Sequence, residues 1–219
     1  MSAPAPAPTT PPAAPRRRRR WLFVPLMLLL MMLVALVWAY LRGTSAETEP
    51  RNPTGPADPP VSQLYRSPEG HTTVRAAVVV ARPRKKVWEV VRDFDHYGDV
   101  LGNYLKDVKA EPGDDGTRVV SGEAKSLFTG YWKFQMTAHE DDKDAAAWRV
   151  WWKEQGDGEV RVNNGGWTLT ETAPGETLLV LELEAEVRNA PTWLLRNFFL
   201  YRLREAVASV KSYVEAKKE

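Results

Sequence analysis

Residues able to do chemistry are few in this chain, and only one group of them is clustered. His96 stands among Asp93, Asp95 and Asp99. An imidazole among carboxylates can relay protons, or it can simply cap a helix break. Two readings follow: a polar mouth to a binding cavity, or a surface capping cluster, of which the sequence favours the second. His71 lies at a linker boundary. His139 shares a strand face with Tyr131, Lys133 and Gln135 and is expected to point to solvent. Arg118, Arg149 and Arg161 alternate with apolar residues and are expected to face out as well. There is no cysteine, which excludes disulfides, thiolate metal sites and cysteine nucleophiles. Three histidines without regular spacing do not suggest a zinc site. No catalytic residue, metal or cofactor is assigned, because no positioned acid–base pair can be assembled.

What the chain has in abundance is aromatic and aliphatic side chains at strand and helix spacing. The run from Pro191 to about Lys218 reads as one helix. Pro191 suits a first helical position, where its missing N–H costs nothing. Leu195, Phe199, Leu203, Ala206, Val210 and Val214 recur at steps of three or four and form one apolar stripe. Arg196, Arg202, Arg204, Lys211 and Lys217 fall mostly on the other flank. Such a helix is about 40 Å long, and its stripe must be covered.

The cover is a series of half-apolar strands. The first is Thr73–Ala81, with Val74, Ala76, Val78 and Val80 on one face. Pro83 then opens a short helix, and a second covers about Tyr97–Gly102. Six strands follow, separated by turn signals: Tyr104–Glu111, Thr117–Ala124, Tyr131–His139, Ala146–Lys153, Val160–Thr170 and Glu176–Arg188. No helix interrupts them, so the sheet is read as antiparallel. Gly165-Gly166 suggests a bulge or sharp bend. The expected architecture is α+β: a seven-stranded curved antiparallel sheet around a long C-terminal helix, with two short helices after the first strand.

Ahead of this domain, residues 1–20 are Ala/Pro/Thr-rich and end in Arg16–Arg20. Residues 21–41 carry no charge, and as a helix would span about 31 Å, the thickness of a hydrocarbon core. Trp21, Trp38 and Tyr40 sit near the two ends. The five arginines against a single Arg42 orient the segment with its N-terminus in the cytoplasm. The expectation is a single-pass cell-membrane protein whose domain is extracytoplasmic, or periplasmic in a Gram-negative source. A cleaved signal peptide is the rival reading. Residues 42–70 are Pro-rich and are read as a linker, with the domain at 71–219. The formal net charge is +2. Residues 1–71 hold eight Arg against four acidic residues, so the remainder is close to neutral, which does not suggest a nucleic-acid surface.

Two stretches resemble a known superfamily. Ala81, Pro83, Val87-Trp88, Val90-Val91, Asp93-Phe94 and Tyr97 are similar to the A-x-P-x-x-V-W-x-V-(L/V)-x-D-(F/Y)-x-x-Y opening of the START/Bet v 1-like (SRPBCC) superfamily, polyketide cyclase and coenzyme Q-binding branch. This chain has one extra residue between Pro83 and Val87. Gly165-Gly166-Trp167-Thr168-Leu169 with Gly175-Glu176-Thr177 looks like the family's G-x-W-x-L-x-P…G-T hairpin, with Glu171 where the proline would stand. The resemblance covers roughly 72–218 and implies a helix-grip fold with an apolar cavity between sheet and helix. It does not name the ligand.

Alternation then supplies the expected cavity wall: Trp132, Phe134 and Met136; Trp148, Val150 and Trp152; Trp167 and Leu169; Leu181 and Leu183; and Leu195, Phe199 and Leu203 from the helix. Leu127, Phe128, Trp193 and Phe198 are candidates for a gate or a membrane contact. Of the neighbours Trp151 and Trp152, one should face outside, covering the sheet's outer face or marking a contact surface. The expected activity is binding, with transfer as an extension, of a lipid-like, quinone or polycyclic molecule by a membrane-tethered domain. Two alternatives stay open: a cyclase or aromatase acting in the same cavity, and a protein-interaction module with a filled core.

Overall fold

Strict alternation of apolar residues in seven stretches makes strands, and a computed structural model shows how they assemble. It describes residues 23–43, 46–66, 72–126, 130–154, 160–187 and 192–217. The chain divides into two units, Met1–Gly43 and Thr44–Glu219.

In the first unit, α1 runs over Phe23–Gly43, 21 residues. Leu26–Val34 and Val37 are exposed. Among the described residues, no helix is long and apolar enough to cross a membrane.

The second unit is one eight-stranded antiparallel sheet with helices on its inner face. The strands are β1 (Val61–Arg66), β2 (Thr72–Val80), β3 (Leu105–Pro112), β4 (Arg118–Lys125), β5 (Tyr131–Asp141), β6 (Trp148–Glu154), β7 (Val160–Ala173) and β8 (Glu176–Val187). Helices α2 (Arg84–Val91) and α3 (Tyr97–Leu101) follow β2, and α4 (Thr192–Ala216) ends the chain. The order across the sheet is β1-β2-β8-β7-β6-β5-β4-β3. The six-strand meander therefore returns to pair β8 with β2, as a sheet wrapped around one helix requires. Leu203, Ala206, Val207, Val210 and Val214 of α4 are buried in the same core as Val74, Ala76 and Val78 of β2.

The sheet has eight strands, not seven. The additional one, β1, comes from the Pro-rich stretch assigned to the linker. It pairs with β2 in register Leu64↔Val74 and Gln63↔Arg75. The prolines around it masked a six-residue alternation that buries Leu64 on one face and Gln63 on the other. The chain before β1 folds back as well. Gln63 Nε2 donates to the Glu49 carbonyl at 3.0 Å, and the Arg51 N–H donates to Gln63 Oε1 at 2.7 Å. This covers part of the second face of β2, which explains why Ala77 and Val79 are buried along with Val78. Arg75 is the exception in that apolar strand, only 5 % exposed. It donates to the Arg51 carbonyl and to Asn52 Oδ1 and faces Glu182 of β8 at 3.3 Å.

Three smaller expectations change. Pro83 is the N-cap of α2 rather than its first helical residue, with extended backbone at φ −58°, ψ 145°. Gly165 and Gly166 carry no bulge, since the β7–β8 register is continuous through them and shifts only near the strand ends. Their role is close approach: a Cβ on Gly165 would meet the Glu182 carbonyl oxygen at 2.5 Å, and one on Gly166 the Val150 carbonyl oxygen at 2.7 Å. Lys211, placed on the solvent flank of α4, is instead half-buried and donates to the carbonyls of Pro56 and Val79. Pro191 lies outside the described residues.

Candidate functional site

Curling the meander around α4 leaves a space that the side chains do not fill. It is a cavity of about 170 Å³ between the inner face of β5–β8 and α4. Strand alternation delivers Trp132, Phe134 and Met136 from β5, Trp152 from β6, Trp167 from β7, and Leu181 and Leu183 from β8. The helix contributes Phe198, Phe199, Leu203 and Ala206. These are the residue types that make pocket walls, large and apolar with defined ring geometry. Trp132 packs edge-to-face on Phe198, centroids 6.0 Å apart, and Phe198 on Phe199 at 5.2 Å.

Trp148, Val150, Leu169 and Leu195, expected in the same wall, lie elsewhere. Val150 and Leu169 are fully buried in the core. Trp148 packs edge-to-face on Trp88 of α2, centroids 5.6 Å apart, with the Arg84 guanidinium 4.5 Å above its ring. Leu195 joins Val160 and Val187 in a separate small cluster. Parity places a residue on a face but says nothing about which end of the strand meets the cavity. Of the four gate candidates, Phe198 lines the cavity. Leu127 and Phe128 lie outside the described residues, and so does the side chain of Trp193.

Sequence reasoning missed the polar part of the wall. Asn163, Tyr104, Arg202 and Lys125 line the cavity, as do Tyr97 and Leu101 of α3. Asn163 shares strand parity with Trp167, and that signal was available. The Trp152 indole N–H donates to Asn163 Oδ1 at 3.1 Å, which fixes the amide. Trp167 donates its indole N–H to the Tyr97 hydroxyl at 3.0 Å, and Tyr97 donates onward to the Val91 carbonyl at 2.5 Å. Burial pushes the Tyr97 hydroxyl far above its ordinary range, so it stays protonated and structural. The Tyr104 hydroxyl is pushed up to about 12, by burial first and then by its hydrogen bond to Glu205.

The histidines stand apart from this cavity. His96 is exposed, with Nδ1 2.9 Å from Asp93 Oδ2, and that hydrogen bond raises its pKa. It lines a shallow polar groove with Arg82, Lys86, Glu89 and Lys217. His139 stacks on Trp151 on the outer face of the sheet, centroids 5.2 Å apart and planes 9° from parallel. The two neighbouring tryptophans thus point to opposite faces, Trp152 into the cavity and Trp151 outward.

A model of the family described as polyketide cyclase / dehydrase and lipid transport matches residues 71–215. Among solved structures, the chain is similar to the Zhui aromatase/cyclase from Streptomyces sp. R1128, at 19 % identity and TM-score 0.56, over 65 % of this chain and 93 % of that one. It is similar to a STAR-related lipid transfer protein from Xanthomonas axonopodis, at 12 % identity and TM-score 0.62, over 79 % and 99 %. It is similar to human StAR-related lipid transfer protein 5, at 14 % identity and TM-score 0.62, over 86 % and 96 %. At these identities the likeness is one of fold. A sequence search of curated proteins gives no match.

Proposed function

The chain belongs to the polyketide cyclase / dehydrase and lipid transport family of the START/Bet v 1-like superfamily, and on that premise we propose that it binds a hydrophobic small molecule, non-covalently, in the cavity between the sheet and α4. The observation that carries the proposal is the wall itself: Trp132, Phe134, Met136, Leu183, Phe199 and Leu203 converge on one space of about 170 Å³. Apolar ligand surface leaving water for such a wall contributes roughly 25 cal/mol per Å², before the cost of immobilising the ligand. The described lining is mostly apolar, with Tyr104, Asn163, Lys125 and Arg202 as hydrogen-bonding groups able to orient a ligand. The similar solved structures include proteins named for lipid transfer.

The second part of the proposal is a membrane tether. Residues 21–41 are free of charge, five arginines precede them, and α1 exposes Leu26–Val34. A tether holds the domain at high local concentration near a bilayer, where apolar ligands partition.

Native mass spectrometry on the full chain, carried with its surrounding lipid in polymer nanodiscs, tests the binding. A stoichiometric small-molecule mass bound to the protein, removed by solvent stripping, is the expected result. A ligand-free protein that also takes up none of a panel of fatty acids, quinones and polycyclic aromatics would overturn the cavity reading in favour of an interaction module.

A further inference from the structure

The cavity wall has one element that an apolar ligand alone does not explain. Arg202 of α4 lines it. Its guanidinium carbon lies 4.8 Å from the ring centre of Tyr104 and 5.0 Å from that of Phe198. Two rings around a planar cation hold it in place and take water from its faces. Its counter-charge is loose: Glu205 Oε2 is 3.9 Å from Nη1, beyond hydrogen-bond length. That carboxylate is already engaged, accepting from the Tyr201 hydroxyl at 2.6 Å. Among the described residues, the buried Nε–H of Arg202 has no hydrogen-bond partner. A buried donor left unpaired is costly, so the position is poised for an acceptor. Lys125 adds a second cation to the lining, and among the described residues no carboxylate lines the cavity.

We propose that the ligand is an amphiphilic carboxylic acid: an apolar body with one anionic end, seated by Arg202. This rests on the cavity reading above and narrows it. A guanidinium presents parallel N–H groups that match the two oxygens of a carboxylate. Carboxylate and phosphate both pair bidentately with a guanidinium, and the small volume with one guanidinium in its wall favours the smaller, singly charged group. Size narrows the class further. An apolar cavity of roughly 150 Å³ accommodates a benzene ring. The present volume of about 170 Å³ therefore suits one ring or a short chain, not a two-chain lipid.

The test uses a pair of probes of one shape and different charge, 4-methylbenzoate and 4-methylbenzamide, titrated calorimetrically into the full chain in polymer nanodiscs. The wild type is expected to bind the acid about tenfold more tightly than the amide. Arg202→Gln is expected to keep its amide affinity and lose the preference, Arg202→Lys to recover part of it, and Lys143→Gln, on the exposed turn after β5, to keep it. Comparing each ratio with that of the wild type cancels partitioning of the probes into lipid. The amide affinity reports whether each variant is folded, and the wild-type comparison of the two probes needs no variant at all. Equal binding of both probes by the wild type overturns the acid proposal and leaves the cavity standing. A preference that survives Arg202→Gln, or disappears in Lys143→Gln, overturns the assignment to Arg202. Binding of neither probe by the wild type overturns the cavity reading and this inference together.

Discussion

Trp167 of β7 and Tyr97 of α3 share a buried hydrogen bond of 3.0 Å, and through Tyr97 it continues to the Val91 carbonyl at the end of α2. The largest fully buried side chain of the sheet is thereby tied to the helical segment that closes one end of the cavity. Tyr97→Phe keeps the ring packing and deletes the hydroxyl. It leaves the Trp167 indole N–H buried without a partner, a defect worth about 1–3 kcal/mol. The expected outcome is a lower unfolding midpoint in urea with an unchanged m-value, since no surface is gained or lost. An unchanged midpoint would mean that the pair contributes nothing to holding α3 on the sheet.

Leu203→Trp tests whether the empty space is used. Leu203 lines the cavity from α4 and is itself buried. The larger ring projects into a volume of about 170 Å³, and overpacking there costs about 1–3 kcal/mol at most. The expected result is a folded protein that has lost its co-purifying small molecule in native mass spectrometry. Retention of the ligand at wild-type stoichiometry would place the binding site elsewhere.

Arg75 is expected to hold the chain ahead of β1 in place. Its guanidinium donates to the Arg51 carbonyl at 2.8 Å and to Asn52 Oδ1 at 2.5 Å, and it pairs with Glu182. Arg75→Met keeps the apolar stem and removes all three interactions. Glu182 is half-exposed and recovers water, so the global cost should be about 1–3 kcal/mol rather than that of a fully buried orphan charge. The local effect should be larger: limited proteolysis is expected to cut residues 46–60 at least several-fold faster than in the wild type. Equal cutting rates would show that the segment is held by β1 pairing alone.

The parts of this architecture that could be read in advance are those set by local periodicity. The meander strands match their alternation within one to three residues at each end, because the period of two is imposed by the pleat itself. Strand β1 was hidden because six residues between prolines carry too little pattern to outweigh composition. Trp148 and Trp152 share a face and a residue type, yet one packs on α2 and the other reaches the cavity. Sheet curvature decides between them, and no local pattern encodes it. Arg202 was assigned to solvent because a helical projection sorts residues by polarity. Its position at the edge of the apolar stripe, four residues after Phe198, is what turns it over two aromatic rings.

Glu154 gives the chain a stability slope that depends on pH. Burial raises its pKa above the ordinary carboxylate value, and among the described residues its Oε2 has no partner. In the window between the unfolded pKa, about 4.5, and the raised folded value, the native state binds the proton that the unfolded chain has lost. Stability therefore falls as pH rises through that window, because the native state must then hold a charge where water is scarce. Glu182 is raised in the same direction, again by burial first, against the opposing charge of Arg75. Glu154→Gln removes one of these two contributions. The variant is expected to be more stable than the wild type at pH 7 and nearly equal to it near pH 4. Unfolding midpoints in urea across that range check both points. A variant less stable than the wild type at pH 7 would show that the Glu154 carboxylate is held by Asn163 and the β5 backbone more strongly than it is penalised by burial.

Membrane attachment is the prediction with the plainest readout. Residues 21–41 carry no charge and Arg16–Arg20 precede them. α1 runs over Phe23–Gly43, about 31 Å at the helical rise. The uncharged run of residues 21–41, with Leu26–Val34 exposed, favours lipid over water. The full chain is therefore expected in the membrane pellet after alkaline carbonate extraction, which strips peripheral proteins and leaves spanning ones. Deletion of residues 1–43, which leaves the second unit from Thr44 intact, is expected to move the protein to the supernatant. Externally added protease on intact cells or spheroplasts then gives orientation, since five arginines on the N-terminal side favour a cytoplasmic N-terminus. Release of the full chain by carbonate would remove the tether from the proposal and leave a free carrier, because the described lining of the cavity comes from the second unit.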